Sequence, residues 1–190
     1  MNTTTNKRIN VKWAGLAVLS LAIGLSVFSY IEDHYNVSFW GHIGADKERQ
    51  TSCIKDLHYM YITTKIKDYS KHDFQRGGLY TFRSQEGVLF PKGTLFVKYL
   101  KGLPGDKLEI TENREIKIND VVVASGFPIF ERKGITVPEK FFFKEIIPEK
   151  KYFFLGDTEH SYDSRYWGYV DEENIVGIAH GFFTADIEQQ

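Results

Sequence analysis

Thr94-Leu95-Phe96-Val97-Lys98-Tyr99-Leu100-Lys101-Gly102-Leu103-Pro104-Gly105-Asp106 is the stretch whose reading decides the fold class. Its first half is rich in β-branched and aromatic residues, and Gly102-Leu103-Pro104-Gly105 cuts it off, so Thr94–Leu100 reads as a strand that ends in a turn. Lys98 is out of place in such a run. A strand of this composition is buried on at least one face, and loss of hydration disfavours an ammonium ion. A lysine left as the free amine can act as a general base and activate a serine hydroxyl. The competing reading is an edge-strand lysine that buries its stem and keeps its head in water.

Outward from this strand, the same punctuation recurs. Leu57–Ile62, Gly78–Arg83, Leu108–Ile110, Glu115–Ile118, Val121–Val123, Tyr152–Leu155 and Asn174–Ala179 are short apolar or alternating runs between turn residues. Asn119-Asp120 reads as the turn between two of them. No long amphipathic helix is expected after residue 40. Many short strands at close spacing predict a mostly β domain. Phe130–Lys151, rich in Lys, Glu and Phe, is weakly patterned, and residues 107–150 are expected to form a β hairpin or excursion.

The N-terminus is different. Trp13 to Ile31 carries no charge, Lys7, Arg8 and Lys12 precede it, and Glu32 and Asp33 follow it. A bilayer-spanning helix needs about 20 apolar residues, and positive charge stays on the cytoplasmic side. The expected organisation is a cytoplasmic segment 1–12, a transmembrane helix 13–31, and a domain 32–190 on the outer, periplasmic side of a bacterial inner membrane. A cleaved leader would have a shorter apolar core and a small-residue exit, and Ser26-Val27-Phe28-Ser29-Tyr30 is a poor match to that. Residues 31–49 read as an irregular connection.

The net charge of −1 over 190 residues argues against a nucleic-acid partner, which selects a basic face. Cys53 is the single cysteine, so no intrachain disulfide can form. The histidines are scattered without metal-ligand spacing, and no metal or cofactor is expected.

Three polar clusters stand at strand ends: Thr51-Ser52-Cys53, Lys98, and Ser161-Tyr162-Asp163-Ser164-Arg165-Tyr166-Trp167-Gly168. Taken singly they are weak signals. A serine before a strand is usually a turn residue, and an Asp–Arg pair is usually structural.

Together, in order and spacing, they resemble the type I signal peptidase (leader peptidase) family of Ser/Lys peptidases. Arg76-Gly77-Gly78-Leu79-Tyr80-Thr81-Phe82 is similar to its R-G-D-[IV]-x-x-F segment. Lys98 to Asp106 is similar to K-R-x-x-G-L-P-G-D, and Gly156-Asp157 followed by Ser161–Gly168 to G-D-N…S-x-D-S-R-x-W-G. Ser52-Cys53-Ile54-Lys55 falls where the family has S-M-x-P. The resemblance implies a signal-peptidase-type β domain with one N-terminal transmembrane helix. It implies Ser52 as nucleophile, Lys98 as general base, Ser161 orienting the lysine, and Asp163 and Arg165 bracing the site. The Ser52 amide and Gln50 would form the oxyanion hole. It also implies a precursor-protein substrate with small residues before the cut, bound as an added strand, and a lipid bilayer as partner.

The departures are Lys55 for proline, Tyr99 for arginine, Gly78 for aspartate and Thr158 for asparagine. Small size and a divergent nucleophile segment point within the family to the TraF-type peptidases of conjugative transfer, which mature pilin subunits. The same departures motivate a second reading, a catalytically impaired, membrane-anchored assembly protein that binds precursors. A self-cleaving regulator with Ser/Lys chemistry is a third.

Overall fold

The structure is a computed structural model that describes residues 11–39, 53–54, 58–85, 90–158 and 161–184. It falls into two units, residues 1–35 and 36–190. The first is helix α1, Val11–His34. Its large apolar side chains, among them Leu19, Leu21, Ile23, Leu25 and Phe28, are exposed. Among the described residues no helix is long and apolar enough to cross a membrane.

The second unit is mostly β. After β1 (Tyr35–Phe39) come β2 (His58–Lys65), β3 (Leu79–Arg83), β4 (Leu95–Gly102), β5 (Lys107–Ile110), β6 (Glu115–Ile118) and β7 (Val121–Ser125). Helix α2 (Pro128–Arg132), β8 (Phe143–Ile146), β9 (Lys151–Leu155), helix α3 (Ser164–Trp167), β10 (Val170–Asp171) and β11 (Ile175–Thr184) follow. The large sheet runs β1-β2-β11-β3-β4-β9-β10 and the small one β7-β6-β5-β8. The chain leaves the large sheet at the end of β4, builds the small sheet, and returns as β9, antiparallel to β4.

Alternation explains the packing. Phe96 and Leu100 of β4 and Tyr152 and Phe154 of β9 enter one core with Tyr80 and Phe82. Phe153 and Leu155 of β9 enter a second core with Leu108, Ile110, Ile116 and Ile118 of the small sheet. Strand β9 is thus buried on both faces, as a continuous apolar run requires. Val97 of β4 joins Ile54, Tyr61 and Ala179 in a third cluster on the other side. The β6–β7 hairpin turns on Asn119 and Asp120, both at positive φ (50° and 67°), the conformation a tight two-residue hairpin demands and Asn and Asp tolerate.

The G-L-P-G-D segment is the corner between the two sheets. Asp106 accepts hydrogen bonds from the Leu103 amide (2.6 Å), from Asn119 Nδ2 (2.7 Å) and from Arg76 Nη2 (2.8 Å). Gly105, at φ 85°, donates to Ile147 O. Burial opposes ionisation of Asp106, but those three donors outweigh it and hold the carboxyl below its ordinary range. The two motifs Arg76-Gly77-Gly78 and Gly102–Asp106 therefore meet through an ion pair.

One expectation is corrected. Part of the supposed irregular connection is ordered, since α1 continues to His34 and β1 follows at once. The weakly patterned stretch 130–151 holds the end of α2 and all of β8. Strand β8 reads Phe143-Lys144-Glu145-Ile146 and has no buried residue, so no core periodicity marks it. Ladder bonds to β5 hold it instead.

Candidate active site

Lys98 stands between Phe96 and Leu100 on the core-facing side of β4, where a third apolar residue is expected. It is fully buried, at 0% exposure. Among the described residues its Nζ has no hydrogen-bond partner, and it lies 5.7 Å from the centroid of the Phe96 ring. A buried amine without a partner costs stability, so its presence calls for a reason other than folding. The edge-strand alternative is excluded, because β4 has β3 on one side and β9 on the other.

The register sets its neighbours. Tyr80 of β3 pairs with Lys98 directly. Tyr99 pairs with Leu155, so one step further puts Gly156 opposite Lys98. Residues facing each other across antiparallel strands have Cα atoms about 4.5–5.5 Å apart.

Gly156 is the point of convergence. A Cβ on it would overlap the Cys53 carbonyl oxygen and the Ser161 hydroxyl, with Ser161 Cβ at 2.7 Å. Ser161 is 1% exposed, and its Oγ, like Lys98 Nζ, makes no hydrogen bond. The Asp157 amide donates to Cys53 O at 3.1 Å. Three chain segments therefore meet beside Lys98: the end of β9, the Ser161 loop, and the Cys53-Ile54 segment, whose Ile54 packs with Val97.

Asp163 and Arg165 fasten this junction. Asp163 caps α3 and accepts from Arg165 Nε (2.8 Å) and Nη2 (3.1 Å), and its Oδ2 also accepts from the Gly156 amide at 3.0 Å. Both residues are buried. Ser164 Oγ accepts from the Phe154 amide at 2.9 Å. The cap residue and the first residue of one four-residue helix thus hold the end of β9 and the glycine that follows it. Tyr166 accepts from the Ile129 amide at 3.0 Å and packs on Phe127 and Phe130, tying α3 to α2.

Of the residues singled out in the sequence, Lys98, Ser161, Asp163 and Arg165 lie in one buried neighbourhood. Ser52 and Gln50 lie outside the described residues. The sequence marks Gly156 only as part of a motif. Its role comes from having no side chain, which the Gly156-Asp157 pattern signals but does not explain. Among the described residues no group of His, Cys, Asp or Glu could hold a metal ion.

The model of the family described as signal peptidase, peptidase S26, matches residues 11–184. The chain belongs to this family. A signal peptidase I from Leptolyngbya laminosa is 30% identical over 173 residues, 89% of this chain and 75% of that protein. One from Bacillus amyloliquefaciens is 25% identical over 93% of this chain and 89% of its own length. The match to the enzyme of Haemophilus influenzae is 37% identical over 79 residues, 39% of this chain and 21% of that longer protein. A crystal structure of a signal peptidase I from Enterococcus faecalis V583 aligns at 27% identity with a TM-score of 0.38, over 56% of this chain and 97% of that one. The family match runs through β4, the corner, β9, α3 and all of β11, so it includes every site element described above.

Proposed function

We propose that the chain is a membrane-anchored serine endopeptidase that removes leader peptides from exported precursors with a Ser52/Lys98 dyad. The observation that carries this reading is Lys98: a fully buried lysine whose amine has no hydrogen-bond partner among the described residues, set opposite Gly156 where the Ser161 hydroxyl and the segment following Ser52 converge. In this reading the Lys98 free amine takes the Ser52 hydroxyl proton as the oxygen attacks the scissile carbonyl. The proton then passes to the leaving amine, and water releases the acyl group by the same route in reverse. Ser161 orients the amine, and Asp163 and Arg165 hold Gly156 in place. The Ser52 amide, with Gln50, would meet the developing oxyanion; one such donor is worth about 2.7–4 kcal/mol.

The anchor is supported by the uncharged run from Trp13 to Ile31 and by the exposed apolar side chains of α1, which water does not favour. The basic residues before it favour a cytoplasmic N-terminus and a periplasmic domain 32–190. The substrate class is a precursor with small residues before the cut. The divergent flanks of Ser52 support a specialised member, of the TraF-type conjugative branch, acting on a pilin subunit.

The test is processing of candidate precursors in membranes, followed by mass spectrometry, with wild type, Ser52→Ala and Lys98→Ala. Both variants are expected to leave precursors uncut at full expression of folded protein. Cleavage by either variant would sink the dyad.

A further inference from the structure

We propose that an aromatic cavity beside Lys98 is the subsite for a branched aliphatic side chain, Val, Leu or Ile, in the first two residues after the scissile bond. This rests on the Ser/Lys reading for its orientation, although the cavity itself does not. The cavity measures about 80 Å³; its aromatic walls include Phe82, Phe90, Phe96, Tyr162 and Trp167, and the polar residues Arg83, Ser84 and Gln85 line it as well. The rings make a continuous lining: Phe90–Phe96 at 5.3 Å, Phe90–Tyr162 at 6.0 Å and Phe82–Trp167 at 5.7 Å between centroids.

Its position follows from the leaving group. When Ser52 Oγ forms the acyl bond, the peptide C–N bond breaks, and the proton that Lys98 took from Ser52 goes to the departing nitrogen. That nitrogen belongs to the first residue after the cut, so it must come within about 3 Å of Lys98 Nζ. Phe96, a wall of the cavity, has its ring centroid 5.7 Å from the same Nζ, and Tyr162, another wall, directly follows Ser161. An extended peptide advances about 3.3 Å per residue. The side chain of the first or second product residue therefore reaches the cavity. The opposite face of β4, with Val97, Ile54 and Cys53, is left for the half of the substrate before the cut.

Size selects the occupant. A buried cavity of about 150 Å³ holds benzene; one about half as large suits an isopropyl or isobutyl group better than a ring. Phe90, at 43% exposure, is the wall residue closest to solvent and can be changed without opening a core.

The test uses soluble peptides equivalent to the product half, with a free amino terminus and Leu or Ala at the first or the second position. Binding to the full-length protein in detergent micelles is measured by calorimetry, for wild type and Phe90→Ala. At one of the two positions Leu is expected to bind at least about ten-fold tighter than Ala, the discrimination a shaped apolar pocket supplies. Most of that ratio should vanish in Phe90→Ala. Equal binding of Leu and Ala peptides by the wild type overturns the inference, and so does a preference that survives Phe90→Ala. Cleavage of membrane precursors by the same proteins is followed in parallel. A Leu preference in binding, without any cleavage, removes the dyad reading and leaves the cavity assignment standing.

Discussion

Asp163 Oδ2 accepts the amide of Gly156 at 3.0 Å, and through that one bond the α3 helix fixes the residue that lies opposite Lys98. The carboxylate has no freedom to do otherwise, because Arg165 grips it with Nε and Nη2. The pair is therefore a strut between a loop and a strand end. Its effect on chemistry comes from placing Gly156, and with it the Ser161 hydroxyl, against the lysine.

This separates two kinds of site residue. Asp163→Ala leaves the Arg165 guanidinium buried and unpaired, which costs about 3–5 kcal/mol, and activity falls with stability. Ser161→Ala removes a hydroxyl that makes no hydrogen bond in the resting protein, so stability stays within about 1 kcal/mol while activity drops. Urea unfolding alongside precursor cleavage checks both. Equal destabilisation by the two substitutions would contradict the division.

Lys98→Met should stabilise the domain. Methionine fills a similar volume between Phe96 and Leu100 and removes a buried amine that has no hydrogen-bond partner among the described residues. An unsatisfied buried polar group costs about 1–3 kcal/mol, so a gain of that order is expected in urea unfolding, with cleavage abolished. A less stable Lys98→Met protein would mean that the amine has a stabilising partner when folded in solution.

Much of this was legible in sequence, and the reasons differ by element. Strands β4, β5, β6 and β9 alternate or run apolar because they carry core faces, so period and composition mark them. Strand β8 has no buried residue, and β10 is only two residues long, so neither leaves a pattern. Lys98 stood out because a charge in an apolar run is a local contradiction. Gly156 did not, because its importance lies in what three separate segments bring against it, and no local pattern encodes that. The aromatic cavity is non-local for the same reason, its walls coming from β3, β4, the Phe90 loop and α3.

Gly156→Ala tests the convergence directly. Its Cβ would overlap the Cys53 carbonyl and the Ser161 hydroxyl, one of them backbone that cannot rotate away. The expected outcome is loss of cleavage with destabilisation of about 1–3 kcal/mol, the range for overpacking. Gly177→Ala, which meets the Thr64 carbonyl away from the β4–β9 junction, serves as the comparison. It should destabilise similarly but retain more activity per folded molecule.

Acid should release the corner between the two sheets. The folded Asp106 carboxyl is held below its ordinary value of 3.8, because the Leu103 amide, Arg76 and Asn119 together outweigh the opposing effect of burial. A carboxyl with a lowered folded value binds fewer protons folded than unfolded. Its contribution to stability is therefore fully present above about pH 4 and is lost as pH falls through the folded value. Asp106→Asn should be less stable than wild type at neutral pH, and the gap should narrow steadily below pH 4. Thermal unfolding of both proteins between pH 7 and pH 3 measures it. A gap that stays constant across that range would show that the Asp106 charge does not hold the corner. Arg76→Ala, which removes the ion-pair partner at 2.7 Å together with the Arg76 bond to the Lys101 carbonyl, should flatten part of the same pH dependence, while the Leu103 and Asn119 bonds preserve the rest.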